Sequence, residues 1–220
     1  MEIRSIQTQF TVINHEDRNA LFERYIQGTL EAYANEPSNE WFVEAVKHRI
    51  LHSSFIVEAW VNEVYLAGYI GVDNMRIPGV GLIAYVGIAT VFLEHKKHGI
   101  MQYLLGSLQG FDGIMVRTQN PAILFSMYQV FGDVMPITEK PTLAARHCAK
   151  QLADLSGGRY DEEKMVSLGI YDGRRLTGVE CSSGRVWADE AIRQNLNAEK
   201  GDAIILVSLK KKEKQSYSGF

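Results

Sequence analysis

Lys96, Lys97, His98 and Gly99 stand in a row between two different patterns. Upstream, Leu82 to Val91 is an apolar, β-branched run; downstream, a helix-period pattern begins near Gly99. A strand, a basic glycine turn and a helix make an anion site in outline. The first N–H groups of a helix have no partner within it and carry a partial positive charge, so a docked anion satisfies both. Lys96, Lys97 and His98 add to that field.

The elements that must hold this turn follow from periodicity. Ile3 to Ile13 alternates loosely and carries Ile, Phe, Thr and Val, which predicts a first strand. Asn14 is an N-cap candidate, with Asp17 behind it, for a helix whose Leu21, Tyr25 and Gly28 share a face. Pro37-Ser38 ends that helix and starts another, in which Phe42, Val46 and Ile50 recur at helical spacing. Ser54 to Val61 and Val64 to Val72 flank the turn Asn62-Glu63 as a hairpin, and RIPGVG, Arg76 to Gly81, leads into the strand Leu82 to Val91 to complete a meander. Ile114 to Thr118 is a short strand. Asn120 as N-cap and Pro121 behind it open a helix with Ile123, Leu124, Met127, Tyr128 and Phe131 on its core face, closed by Gly132.

The last third carries no motif. Pro141 to Leu155 reads as a helix with Leu143, Ala144, Cys148, Leu152 and Leu155 inward; Val166 to Leu176 reads as a hairpin around Asp172-Gly173; a short helix near Asp189 to Leu196 precedes a strand, Ala203 to Leu209. The charged end KKKEKQSYSGF reads as a solvated tail.

Composition sets limits on function. With 46% hydrophobic and 22% charged residues over 220 positions, the chain is of ordinary globular type and long enough to bury a core. A net charge of -3 and a pI near 6.1 give nothing global that draws nucleic acid or an anionic membrane, so any anion site is local. Cys148 and Cys181 suit neither a disulfide framework nor a metal cluster, and the six histidines lack metal-ligand spacing, so no metal is expected. MEIRSIQTQF has no apolar core of signal length and no window approaches a membrane span, which predicts a cytoplasmic protein.

Three segments resemble one family. VFLEHKKHGIM, Val91 to Met101, is similar to the acyl-CoA pyrophosphate loop of the GNAT N-acetyltransferases, V-x-P-x-x-R/Q-x-x-G-x-G/A, with Val91, Gly99, Ile100, Leu104 and Leu105 in register. Leu93, Lys96 and Met101 differ from the pattern, and Met101 is bulky where the family has a small residue. VEAWVNEVYLAGYIGV resembles the hairpin that precedes that loop, and TQNPAILFSMYQVFG resembles N-x-x-A-x-x-L-Y-x-x-x-G-F.

The resemblance implies an α/β fold, an α+β mixed sheet of the GNAT-like acyl-CoA N-acyltransferase type, with residues 1–136 as core. Residues 137–200 then form an insertion before the last strand, packed on the core; 201–209 is that strand and 210–220 a flexible tail. It implies acetyl-CoA or another acyl-CoA as co-substrate, held by Thr90, Val91, Leu93, Lys96, Lys97, His98, Gly99, Ile100, Met101 and Asn120. A backbone N–H near Ala89 to Val91 would polarise the thioester, and Tyr128 would protonate the departing sulfur; core packing for Tyr128 and an N-cap for Asn120 are the rival readings. His95 and His98 read as solvated or phosphate-facing. The strand Leu82 to Val91 holds no Glu or His, so Glu58, Asp73 or a water is left as the general base. The acceptor is expected to be a small-molecule amine; nucleic acid and membrane are not expected partners, and a homodimer is allowed. A non-catalytic module for acyl-CoA sensing or protein interaction and a long-chain N-acyl synthase remain the alternatives.

Overall fold

Both residues of the turn Asn62-Glu63 adopt positive φ, 51° and 60°, the backbone that joins twisted antiparallel strands most tightly. The turn accordingly closes β2 (Phe55–Val61) onto β3 (Tyr65–Ile77), and β4 (Gly81–Val91) extends the meander. The computed structural model describes residues 2–8, 15–177 and 181–211. Of the predicted first strand, Ile3–Thr8 forms β1 at the edge of β2, while Asn14 lies outside the described residues. From β4 the chain crosses through α3 (Ile100–Gly106) to β5 (Gly113–Thr118), which runs parallel to β4. The final strand, β8 (Ala203–Leu209), pairs antiparallel with β5. Two short strands, β6 (Arg159–Asp161) and β7 (Val166–Leu168), complete an eight-stranded mixed sheet in the order β1-β2-β3-β4-β5-β8-β7-β6. This is the mixed α/β architecture expected from the resemblance.

Strand side chains alternate between faces, so each apolar strand feeds two cores. On one face Val57, Ile70, Val86, Val116 and Leu206 meet α3, α4 (Pro121–Phe131) and α6 (Val186–Asn195). On the other, Ile56, Tyr69 and Ile88 meet α1 (His15–Tyr33) and α2 (Glu40–His52), while Tyr85, Met115 and Ile205 meet α5 (Leu143–Ser156). Leu104 and Leu105 of α3 are wholly buried, each worth about 1.5–3 kcal/mol of transfer free energy. Gly28 lets α1 approach β4: a Cβ there would sit 2.2 Å from the Phe92 ring.

A buried polar network ties α1 to the sheet. The Tyr25 hydroxyl donates to Glu58 Oε1 at 2.5 Å, and Trp60 Nε1 donates to Oε2 at 3.2 Å. Thr29 Oγ1 lies 2.6 Å from the Tyr69 hydroxyl and 3.1 Å from Thr90 Oγ1. Burial pushes the Tyr25 and Tyr69 hydroxyls well above their usual range, so both stay protonated.

The last third departs from expectation in two places. The inward stripe of α5 is Ala145, Cys148, Ala149, Leu152 and Ala153, whereas Leu143 is 88% and Leu155 73% exposed. Small residues let this helix lie close on β8, and the longer leucines fall off that stripe. Second, β7 pairs with β6 before it, not with residues beyond Asp172-Gly173. The Asp161 carboxylate accepts from the N–H groups of Glu163 and Lys164 and so closes the earlier turn. Residues 159–168 thus add to the same sheet, β7 on β8.

Candidate functional site

Strands β4 and β5 are paired only from Ile83–Val86 against Gly113–Val116. Immediately beyond, Gly87 is an extra residue on β4, because Gly71 of β3 faces Ile88 while the next residue, Val72, faces Val86. Such a bulge bends and twists its strand. From there β4 follows β3, while Arg117 and Thr118 follow β8. The sheet opens between them.

Polar backbone groups line the opening. The Phe92 N–H donates to Ala67 of β3 at 3.0 Å. Alternation along the strand turns Val91 and Ala89 toward the opposite, open edge. Consistent with this, the Ala89 carbonyl accepts from the Tyr33 hydroxyl at 2.8 Å rather than from β3. Burial raises Tyr33 far above its normal range and keeps it protonated.

A cavity of about 690 Å³ lies at this opening, bounded by β4, β5, α1, α2, α5 and the loop 170–177. His48, Arg49, Asp73, Tyr85, Arg117 and Tyr171 bring polar chemistry to its wall. The Arg49 guanidinium lies 5.7 Å from the centre of the Tyr85 ring. Desolvation raises the Asp73 carboxyl even though it accepts the Ser54 N–H at 3.1 Å and feels Arg49, His52 and His48. Desolvation, then His52 and Arg49, lowers His48, so its imidazole is neutral at pH 7. Nε and Nη1 of Arg117 are out of solvent and have no hydrogen-bond partner among the described residues.

The sequence-selected residues divide between this cavity and its surroundings. Gly99 has φ 75° and starts α3, whose first internal bond runs from the Tyr103 N–H to Gly99 at 3.0 Å. The helix therefore leaves the Ile100, Met101 and Gln102 N–H groups unbonded. The Ile100 and Met101 side chains are buried in the core, so Met101 does not crowd the turn, contrary to what its bulk suggested. Lys97, His98 and Leu93 are exposed, whereas Lys96 donates from Nζ to the Ala32 carbonyl at 3.0 Å. Val91 sits on the open edge; the Thr90 hydroxyl points into the buried network. Asn120 lines the cavity, and its Oδ1 caps α4 through the Ala122 N–H at 2.9 Å. Tyr128 is 40% exposed, stands off the cavity and meets Trp187 edge-on at 5.3 Å. The reason is helical phase: Ile123 and Met127 face the sheet, and Tyr128 falls beside that stripe. Glu58 is occupied by Tyr25 and Trp60 and does not line the cavity.

Sequence reading missed Tyr33, His48, Arg49, Arg117 and Tyr171. One signal was present: Arg117 interrupts the apolar run of a central strand.

No protein-family model and no curated protein matches the chain. Solved structures similar to it include an aminoglycoside acetyltransferase from an uncultured soil metagenomic sample, with 18% identity, 50% of this chain and 71% of that one covered, and a TM-score of 0.35. A GNAT-family acetyltransferase from Staphylococcus aureus Mu50 has 17% identity over 64% of this chain and 92% of that one, TM-score 0.38. A GNAT-family acetyltransferase from Brucella melitensis in complex with acetyl-CoA has 18% identity over 52% and 75%, TM-score 0.37. Likenesses this partial leave the chemistry to be argued from the site.

Proposed function

We propose that the protein is an acyl-CoA-dependent N-acyltransferase of GNAT type that moves an acyl group, acetyl in the simplest case, onto the amine of a small molecule. The observation that carries this reading is the parallel pair β4–β5 parting after Val86 and Val116 into a cavity, with the backbone of Ala89 and Val91 turned toward the open edge. A slender chain entering that gap would meet N–H donors on one side and a chamber for a second substrate on the other. In this reading the N–H groups of Ile100 to Gln102 hold the pyrophosphate, aided by Lys97 and His98 and by the charge of Lys96.

Bound acyl-CoA supplies an activated thioester. The Val91 N–H is the donor to its carbonyl oxygen, where negative charge develops as the amine nitrogen bonds to the carbonyl carbon and the carbon–sulfur bond breaks. His48, neutral and flanked by Asp73, takes the proton released by the amine. The departing thiolate takes its proton from solvent, while Tyr33, whose hydroxyl donates to the Ala89 carbonyl, steadies the open edge of β4. Tyr128, standing off the cavity, is not needed for this scheme.

The test is thermal stabilisation by CoA, acetyl-CoA and a long-chain acyl-CoA, followed by free-thiol release across an amine panel. Stabilisation by acetyl-CoA with amine-dependent thiol release is expected. Failure of every acyl-CoA to stabilise the protein removes the reading. One rival is a module that binds acyl-CoA without turnover; stabilisation with no thiol release from any amine would select it.

A further inference from the structure

Arg117 is a half-buried cation that no carboxylate answers among the described residues. It stands on central strand β5 beside Val116, which packs under α3 and α4, so its own side chain lies on the face of α1, α2 and α5. It lines the cavity there. Nε and Nη1 are closed to solvent and bond to nothing among the described residues. Among the described residues the one carboxylate on the cavity wall is Asp73, and the guanidinium acting on it is that of Arg49, not Arg117. Arg117 hydrogen-bonds the Tyr171 hydroxyl and Arg49 also acts on it, so two guanidinium groups converge on one side of the chamber against a neutral phenol. A half-buried cation bonded to a neutral phenol still has two donors closed to water and no counter-ion, an arrangement that an incoming anion would complete.

We infer that this wall binds the carboxylate of the acceptor, so that the acceptor is an amine that also carries a carboxylate, of amino-acid type. A planar fork accepts the two oxygens of a carboxylate together, and no lysine stands in the cavity to favour a more highly charged phosphate. Arg117 holds that group, Arg49 adds charge, and the amine is left to point toward His48 and the open edge of β4. The amine half rests on the N-acyltransferase reading; the carboxylate half does not.

The experiment measures melting temperature of the full chain with free amino acids and with the same amino acids as carboxamides, without and with acetyl-CoA. At least one free acid is expected to stabilise the wild type while its carboxamide does not, and Arg117→Met is expected to lose the difference. Without ligand, Arg117→Met should melt within a few degrees of wild type, because removing a charge that has no counter-ion offsets the loss of its bond to Tyr171. Arg117→Lys, which keeps charge but not the fork, should retain part of the discrimination. A panel in which no free acid stabilises beyond its carboxamide overturns the proposal. So does extra stabilisation by succinyl-CoA over acetyl-CoA that Arg117→Met removes, since the carboxylate would then belong to the acyl group. Acetyl-CoA that neither stabilises the protein nor yields thiol defeats the acyltransferase reading while leaving the carboxylate arm readable.

Discussion

The two cationic regions of the site are built by opposite means. The turn Lys96 to Gly99 is continuous in sequence and exposed, and owes its field to the N–H groups that open α3 and to lysines in water. The opposite wall draws Arg49 from α2, Asp73 from β3, Tyr85 from β4, Arg117 from β5 and Tyr171 from a loop. Charges in water are screened within about 8 Å at physiological salt, whereas a partly buried charge such as that of Arg117 is screened much less. The comparison teaches that burial, more than the number of charges, sets how strongly an anion is selected.

The largest expected effect follows from that. Arg117→Met should lower kcat/KM for a carboxylate-bearing amine by about 100-fold or more, in the range for removing one partner of a buried charge pair, with acetyl-CoA affinity unchanged. A smaller loss, or one shared by acetyl-CoA binding, would erase the distinction between the two regions. At the turn, Lys96→Glu combined with Lys97→Glu should weaken CoA binding by about tenfold. That deficit should shrink at high ionic strength; a deficit indifferent to salt would mean that the turn is not acting through screened charge.

pH sharpens the same contrast, because His48 belongs to the wall. Its proton affinity is lowered on folding, so the neutral base persists to lower pH than in a free histidine. Activity should therefore stay at its plateau as pH falls through 6.5, the ordinary histidine value, and decline only below it. The linked stability term has the opposite course. The unfolded chain takes up the proton first, so folding loses stability as pH falls below 6.5, and His48→Gln should flatten both profiles. The smallest effect is expected at Tyr128, which is 40% exposed and does not line the cavity. Tyr128→Phe should turn over within about threefold of wild type, and a drop of tenfold or more would return the proton-donor role to it.

What could be read along the chain was local. Asn62-Glu63 dictates its hairpin through backbone that only a tight mirror-image turn uses. Asn120-Pro121 opens α4 through one cap bond, and Phe42, Val46 and Ile50 are the buried stripe of α2 as their spacing required. The strand, basic turn and helix around Gly99 likewise needed no distant partner. Periodicity and capping act within a few residues, so sequence order alone carries them.

Tertiary structure decided the rest. Tyr128 matched a motif, yet helical phase and the arrival of Trp187 turn it away from the cavity. Leu143 and Leu155 looked inward until the alanine stripe of α5 seated the helix. The wall of Arg49, Asp73, Arg117 and Tyr171 has no spacing to recognise, because a bulge at Gly87 and the parting of two strands create the chamber that gathers it. Whether a charge meets water, a counter-ion or neither depends on what distant segments place beside it, and that is fixed only when the sheet and its helices close.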